Sequence, residues 1–158
     1  MSDTDSLVLR PAEERDVHGI FKLLDPYADK GIVLRRSEDD IRFYLANFRV
    51  AERNGVLCGC VAARDFGNDL LEIRSLVVDP ACQGQGIGKE LIRFVVRQLN
   101  EKRAHWKLFT LTCQQQFFEQ LGFSVVAKEM FPEKIWSDCS KCPKQDCCDE
   151  VALLLEDH

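Results

Sequence analysis

The residues best suited to chemistry in this sequence form a glycine-rich loop between a short apolar run and an amphipathic segment. Glycines stand at every second position of the loop, Gln83-Gly84-Gln85-Gly86-Ile87-Gly88. Glycine allows backbone N–H groups to turn toward a ligand and to approach it closely. A helix that begins here adds unpaired N–H groups and the positive end of its dipole. The pattern therefore predicts a cradle for a diphosphate.

Two common phosphate-binding loops do not match this spacing. A Walker loop requires Ser or Thr after its Gly-Lys pair, whereas Glu90 follows Gly88-Lys89 here. The dinucleotide-binding fingerprint requires Gly-x-Gly-x-x-Gly, and the glycines of this loop are spaced differently. The loop is therefore expected to hold another class of diphosphate ligand.

Helices are predicted on both sides of the loop. One helix is predicted at 13–24, and Asp25-Pro26 is expected to end it because proline restricts the residue before it. A second helix is expected after Ser37, a good N-cap. Its apolar stripe is Ile41, Tyr44, Leu45 and Phe48. The clearest helix follows the loop, with apolar residues at helical spacing: Ile87, Leu91, Ile92, Val95, Val96 and Leu99.

Short strands alternate with these helices. They are predicted at 7–10, 48–53, 56–65, 70–78, 107–112, 123–126 and 151–155, with a short helix at 115–121 that Gly122 caps. Asn54-Gly55 is a strong signal for a hairpin turn, and Gly67-Asn68 is a second turn. The order predicts an α/β fold (α+β mixed sheet) with helices on both faces. A chain of 158 residues with no low-complexity linker is expected to form a single domain, 1–158.

The loop and its flanks resemble a known family. The pattern Gln83-x-x-Gly86-x-Gly88, with Asp79-Pro80 before it, is similar to the signature of the GNAT acetyltransferases. The first strand and the segment 117–123 extend the resemblance over nearly the whole chain. It implies the GNAT acyl-CoA N-acyltransferase fold and acetyl-CoA as co-substrate. The residues it assigns to acetyl-CoA are Leu76, Val77, Val78, Gln83, Gly84, Gln85, Gly86, Ile87, Gly88 and Lys89.

Three further segments narrow the resemblance. They are Glu72-Ile73-Arg74-Ser75-Leu76, Leu34-Arg35-Arg36-Ser37 and the stretch 132–143, which contains Cys139-x-x-Cys142-Pro143. They resemble the acetyltransferase domain of amino-acid N-acetyltransferases, the N-acetylglutamate synthases of arginine biosynthesis. Longer members carry an N-terminal amino-acid-kinase domain, so this chain is expected to resemble the short members that lack it.

The resemblance implies roles near the thioester. A bulge around 76–78 would open a V toward the strand 107–112, and a backbone N–H near Leu76 or Val77 would polarise the thioester carbonyl. Glu72 is the candidate base for the attacking amine; the alternative is a solvated strand carboxylate. Phe118 occupies the position where the family often has a tyrosine that protonates the leaving thiolate. Phenylalanine cannot donate a proton, so solvent or another group must serve.

An acidic acceptor brings two carboxylates, which the planar fork of arginine suits. Arg36 matches the synthases best, with Arg35 and Arg74 as further candidates, and the strand around Cys60 is expected to line the acceptor site. The alternative for Arg36 is a surface arginine beside an acidic helix start. Gln114 stands where longer synthases carry an arginine. Glutamine, aspartate or another small amine therefore stays open beside L-glutamate.

A cysteine-rich segment, 139–148, lies near the end of the chain. Its members are Cys139, Cys142, Cys147 and Cys148. Zinc sites often pair two Cys-x-x-Cys units, and this segment has only one. We therefore do not expect the segment to bind a metal. A reduced thiol cluster, or a disulfide formed after purification, is expected instead, and a structural zinc or iron site is the alternative. The other four cysteines are expected to be buried free thiols.

Composition limits the partners. A net charge of −5 argues against nucleic acid and against an anionic membrane surface. No apolar run approaches the ~20 residues that span a bilayer, and the acidic N-terminus is unlike a signal peptide. A cytoplasmic location, a small-molecule amine substrate and a possible homodimer are expected. The leading hypothesis is glutamate N-acetylation. The alternatives are a GNAT enzyme for another small-molecule or protein amine, and a non-catalytic CoA-binding module.

Overall fold

The computed structural model describes residues 6–31, 33, 35–127 and 151–157. Its sheet has seven strands in the order β1-β2-β3-β4-β5-β7-β6. The strands are β1 (Leu7–Pro11), β2 (Phe48–Arg53), β3 (Val56–Gly67), β4 (Leu70–Val78), β5 (Lys107–Thr112), β6 (Ser124–Val126) and β7 (Val151–Glu156). The helices are α1 (Val17–Asp29), α2 (Glu38–Phe43), α3 (Ile87–Lys102) and α4 (Gln115–Glu119). The predicted mixed sheet is confirmed.

All neighbouring strands are antiparallel except β4 and β5, which are parallel and joined through α3. Short turns join the antiparallel series, as predicted. Asn54 and Gly55 have φ values of 58° and 78°, the left-handed conformation that a two-residue hairpin turn requires. The second turn uses Asn68 and Asp69, with φ values of 54° and 65°.

Helices cover the sheet on both faces and bury two separate clusters. On one face α3 packs its apolar side, including Leu91 and Val95, against β3 and β4. On the other face α1 and α2 cover a cluster that includes Ile20, Ile41 and Phe48. In the described residues, no helix is both long and apolar enough to cross a bilayer.

The first helix differs from the prediction at both ends. A 3-10 turn at Glu14–Asp16 precedes α1, and α1 continues through Pro26 to Asp29. Asp25-Pro26 therefore does not end the helix. Proline in the last turn removes one backbone hydrogen bond, and the extra residues gain an anchor. That anchor is Tyr27, whose hydroxyl donates to the carbonyl of Val78 at 3.0 Å.

The second helix is shorter than its apolar stripe suggested. Ser37 is the N-cap, as predicted, and its Oγ accepts a hydrogen bond from Asp40 N at 3.1 Å. The helix ends at Phe43, and Phe48 already begins β2. Phe48 is buried as a strand residue, whereas Tyr44 is exposed. The helical spacing of the apolar residues therefore grouped Ile41 of α2 with Phe48 of β2, which belong to different elements.

Candidate functional site

The parallel pair β4 and β5 separates into a fork. Its register pairs are Leu70 with Lys107, Leu71 with Leu108 and Glu72 with Phe109. Beyond Glu72 the described parts of the two strands share no further pairs, and β5 continues alongside β7 instead. A fork leaves strand edges available to an extended ligand, because backbone groups at an edge seek partners.

A bulge in β4 redirects the strand at this fork. The register with β3 passes from Ala62–Arg74 to Cys60–Val77, so β4 carries one extra residue there. Ser75 has a φ of +55°, a conformation that costs a non-glycine residue on the order of 1–3 kcal/mol and clusters at functional sites. The predicted bulge is confirmed. Ser75 and Leu76, without register partners in the described strand β3, form it.

The glycine loop joins the end of β4 to α3. Gly84 and Gly86 have φ values of 83° and 77°, and Gly86 is the N-cap of α3. No described atom lies within 4 Å of a Cβ added at either residue, so the loop surface is open to a ligand. The first N–H groups of a 16-residue helix point out of this end. The geometry fits a bound diphosphate.

Other loop residues differ in what they present. Ile87 is buried beneath the helix, so only its backbone can reach a ligand. Gly88 is helical, and an added Cβ would come within 3.3 Å of Phe117; its glycine is explained by the packing of α4 on α3. Gln85 accepts a hydrogen bond from Arg53 of β2, and Lys89 is half-buried in the first turn.

Gln83 connects the loop to the pantetheine-facing strand expected from the sequence. Its Nε2 donates to Tyr27 Oη at 2.7 Å and lies 3.4 Å from the carbonyl oxygen of Val78. Tyr27 was missed in the sequence because Pro26 was expected to end α1. The helix extension therefore places a hydroxyl beside the glycine loop.

We expect Gly86→Ala to lower stability by about 1–2 kcal/mol, because alanine resists a positive φ, and to raise the Kd for acetyl-CoA. Gly55→Ala is the matched control. Gly55 has a φ of 78° against 77° for Gly86, and neither has a described atom within 4 Å of the added Cβ. Urea unfolding should give similar losses for both variants, while calorimetry should find weaker acetyl-CoA binding for Gly86→Ala only. Equal affinities would remove Gly86 from the ligand site.

Glu72 lies at the base of the fork. It is 6% exposed, which is unusual for a carboxylate, and its Oε1 accepts a hydrogen bond from Arg74 Nε at 2.5 Å. This contact fixes the orientation of the carboxylate. Glu72 is thus a buried, positioned carboxylate rather than a solvated strand residue.

Arginines gather on the same face of the sheet. Arg74 and Arg64 lie with their guanidinium carbons 5.8 Å and 4.6 Å from the ring centroid of Phe66. Arg36 lies 5.9 Å from the Phe48 ring. Burial lowers the pKa of the Arg36 guanidinium, and the charges of Arg74 and Arg64 add to this lowering, while Asp40 opposes it.

Arg36 is incompletely satisfied. It forms a 3.7 Å ion pair with Asp40, yet its buried Nε has no hydrogen-bond partner among the residues that the structure describes. Buried polar groups are nearly always partnered, so this N–H is available to an acceptor that lies outside the described residues. Arg35 differs: it is exposed and pairs with Asp25 and Asp29 of α1.

Cys60 and Phe118 have clear environments. Cys60 is fully buried, its Sγ donates to the carbonyl of Ser75 at 3.5 Å, and burial raises its pKa to about 12. It is a neutral thiol that supports the bulge. Phe118 is buried between Phe117 and Phe123, so it belongs to the core.

Arg64 was not identified from the sequence. Ala62, Arg64 and Phe66 alternate along β3, so they share one face of the sheet. Arg64 is the register partner of Glu72, which places it at the site. The cysteines of the segment 139–148 lie outside the described residues, and so does the stretch 132–143.

The sequence of this chain is similar to those of known acetyltransferases. Residues 29–125 match the family described as the acetyltransferase (GNAT) domain. A protein of Chlorobaculum tepidum, described as an uncharacterized N-acetyltransferase, is 37% identical over 146 residues, which cover 92% of this chain and 94% of that protein. The amino-acid acetyltransferase of Shewanella oneidensis is 31% identical over 128 residues, which cover 80% of this chain.

A solved structure extends the comparison to the fold. N-acetylglutamate synthase from Neisseria gonorrhoeae, complexed with coenzyme A and N-acetyl-glutamate, has a TM-score of 0.84 and 26% identity, and the match covers 97% of this chain. The match covers 35% of that enzyme and 28% of the Shewanella protein. This chain therefore spans about a third of the length of these two relatives.

Proposed function

Because this chain belongs to the GNAT acetyltransferase family, we propose that it moves the acetyl group of acetyl-CoA to the α-amine of an amino acid, with L-glutamate the preferred acceptor. This is the reaction of the N-acetylglutamate synthases in arginine biosynthesis. The proposal has two parts, a donor site at the glycine loop and fork, and an acceptor site at the arginines.

The observation that carries the acceptor assignment is the half-buried group of arginines beside Glu72. Arg36 interacts electrostatically with Arg74 and with Arg64, and it has an unpartnered Nε among the described residues. Glu72 and Asp40 offset part of the positive charge of this group, and a further anion would reduce the repulsion between its guanidinium groups more. An amino acid with two carboxylates supplies that charge and matches the planar guanidinium.

The donor part follows from the loop and the bulge. The backbone N–H groups at 83–89 and the N-terminus of α3 are suited to the diphosphate of acetyl-CoA. The fork between β4 and β5 gives its pantetheine arm a strand edge. The extra residue at Ser75–Leu76 turns a backbone N–H of β4 toward the thioester carbonyl. These assignments are supported by the positive φ values and by the register shift.

The chemistry requires an uncharged amine. In this proposal Glu72 accepts the proton of the acceptor ammonium, directly or through a water. The amine then attacks the thioester carbonyl and a C–N bond forms. The C–S bond breaks to release the CoA thiolate, and the new amide nitrogen gives its second proton to solvent. The β4 N–H stabilises the oxyanion. Phe118 cannot protonate the thiolate, so solvent does so.

An acceptor screen tests the proposal. Thiol release from acetyl-CoA would be followed with L-glutamate, L-aspartate, L-glutamine and a polyamine, and the product identified by mass spectrometry. We expect the highest kcat/KM with L-glutamate. A preference for L-glutamine would favour the neutral Gln114 as a determinant of the acceptor side chain. Acetyl-CoA binding without amine-stimulated thiol release would replace the proposal by a non-catalytic CoA-binding module.

A further inference from the structure

Two thiols outside the proposed site meet beside the glycine loop. Cys58 is 3% exposed and lies at a second bulge: the β2–β3 register passes from Ala51–Gly59 to Glu52–Leu57, which leaves Cys58 as the extra residue of β3. The half-buried Cys82 closes the 3-10 turn Pro80–Cys82, immediately before the loop. Both are reduced.

The turn is held directly against the bulge. Asp79 N donates to the carbonyl of Cys58 at 2.7 Å, and Cys82 N donates to the carbonyl of Asp79 at 2.8 Å. These two bonds hold the turn that carries Cys82 against the bulge that carries Cys58. The Cys58 thiol itself donates to the carbonyl of Val56 at 3.6 Å. Cys82 also packs against the α3-side core cluster that contains Cys58.

We propose that Cys58 and Cys82 are a redox-sensitive dithiol that a hydroperoxide converts to a disulfide, and that this disulfide weakens the binding of acetyl-CoA at the adjacent loop. The reactive order follows from exposure. Burial, and then the nearby Cys82 side chain, raise the pKa of the Cys58 thiol to about 11. Cys58 therefore stays protonated at neutral pH, and the more exposed Cys82 reacts first.

Formation of the disulfide is a two-electron oxidation of the two thiols by one hydroperoxide. The Cys82 sulfur attacks the peroxide, the O–O bond breaks, and Cys82 sulfenic acid forms with release of one water, or an alcohol from an organic hydroperoxide. The Cys58 thiol then attacks the sulfenic sulfur, the S–O bond breaks, the S–S bond forms and a second water leaves. An external dithiol reverses the reaction by exchange.

The disulfide acts on the loop through geometry. An S–S bond of about 2.05 Å is shorter than any non-bonded contact of two sulfurs, so the turn must move toward β3. Cys82 immediately precedes Gln83, whose amide ties the loop to Tyr27. Because a misplacement of about 1 Å can cost a hundredfold in a positioned site, we expect the Kd for acetyl-CoA to rise on the order of tenfold.

Peptide mapping identifies the cross-link. The full chain is treated with hydrogen peroxide, desalted, alkylated and digested with trypsin without reduction. The expected product joins residues 54–64 to 75–89, the tryptic peptides that contain Cys58 and Cys82. Fragmentation separates Cys58 from Cys60, which shares its peptide. Cys82 found as a sulfinic acid, or paired with a cysteine of the segment 139–148, would overturn the proposal.

Calorimetry with acetyl-CoA, which has no free thiol, tests the functional effect. Oxidised wild-type chain should bind more weakly and recover with dithiothreitol. Cys82→Ser and Cys58→Ala should bind normally before and after peroxide, and Cys82→Ser, on a half-exposed turn, is the safer variant. Cys113→Ser, which removes an exposed cysteine away from the pair, should behave as wild type. A cross-link with unchanged Kd would also overturn the proposal.

Discussion

Replacing Glu72 by glutamine is expected to lower kcat by about two to four orders of magnitude and to leave the Kd for acetyl-CoA unchanged. Glutamine keeps the shape and the hydrogen-bond acceptor that Arg74 Nε uses, but it cannot take a proton from the ammonium of the acceptor. Steady-state kinetics with saturating acceptor and calorimetry with acetyl-CoA measure the two quantities separately.

Glu52→Gln is the matched control for this variant. Glu52 lies on β2, and its Oε1 accepts a 2.5 Å hydrogen bond from Arg10 Nε, the same contact that Arg74 makes with Glu72. If the charge of a strand glutamate matters only for folding, both variants lose stability and both keep kcat. A normal kcat in Glu72→Gln would therefore remove Glu72 as the base. A lower kcat in Glu72→Gln alone supports the assignment.

The local signals in the sequence were sufficient for most of the fold. Strands β4 and β5 have the predicted bounds, and α3 begins at Ile87 as its apolar spacing indicated. These elements are fixed by nearby residues: the turn Asn54-Gly55 by its positive φ values, and α3 by a single apolar face. The family similarity, read from the loop, is also confirmed.

Elements whose limits depend on distant contacts were predicted less well. Proline is a poor helix residue, but α1 continues past Pro26 because Tyr27 reaches Val78, 51 residues away. The stripe after Ser37 failed for a similar reason. Phe48 is a strand residue paired with Ala62 of β3, and its side chain is covered by α1 and α2 instead of belonging to a helix stripe.

The candidate site shows the same division. The glycine loop could be recognised from contiguous residues. The residues proposed to bind the acceptor come together only when the strands pair in the sheet, so they could not be recognised in this way. Arg64 and Glu72 are register partners across β3 and β4, and no short motif contains both. The bulge at Ser75 could be expected only from family resemblance, because a register shift is a property of two strands and not of one sequence segment.

Arg36→Ala is expected to raise the KM for the dicarboxylic acceptor by about 10- to 150-fold, the range that corresponds to about 1.5–3 kcal/mol for a hydrogen bond to a charged group. The KM for acetyl-CoA should change little, since Arg36 lies over Phe48 and pairs with Asp40 rather than with a residue of the glycine loop. Initial rates over a grid of both substrate concentrations give the two values. Arg36→Lys should recover little, because an ammonium cannot replace a planar fork.

Arg35→Ala provides the control one residue away. Arg35 is 55% exposed and pairs with acids of α1, whereas Arg36 is 12% exposed and its Nε has no partner among the described residues. The two variants remove the same charge from the same segment, so general electrostatic attraction of an anionic acceptor would affect both alike. Only a direct contact separates them. Equal changes in KM for Arg35→Ala and Arg36→Ala would show that the positive charge of this surface attracts the acceptor without a direct contact to Arg36. The acceptor site would then have to lie elsewhere.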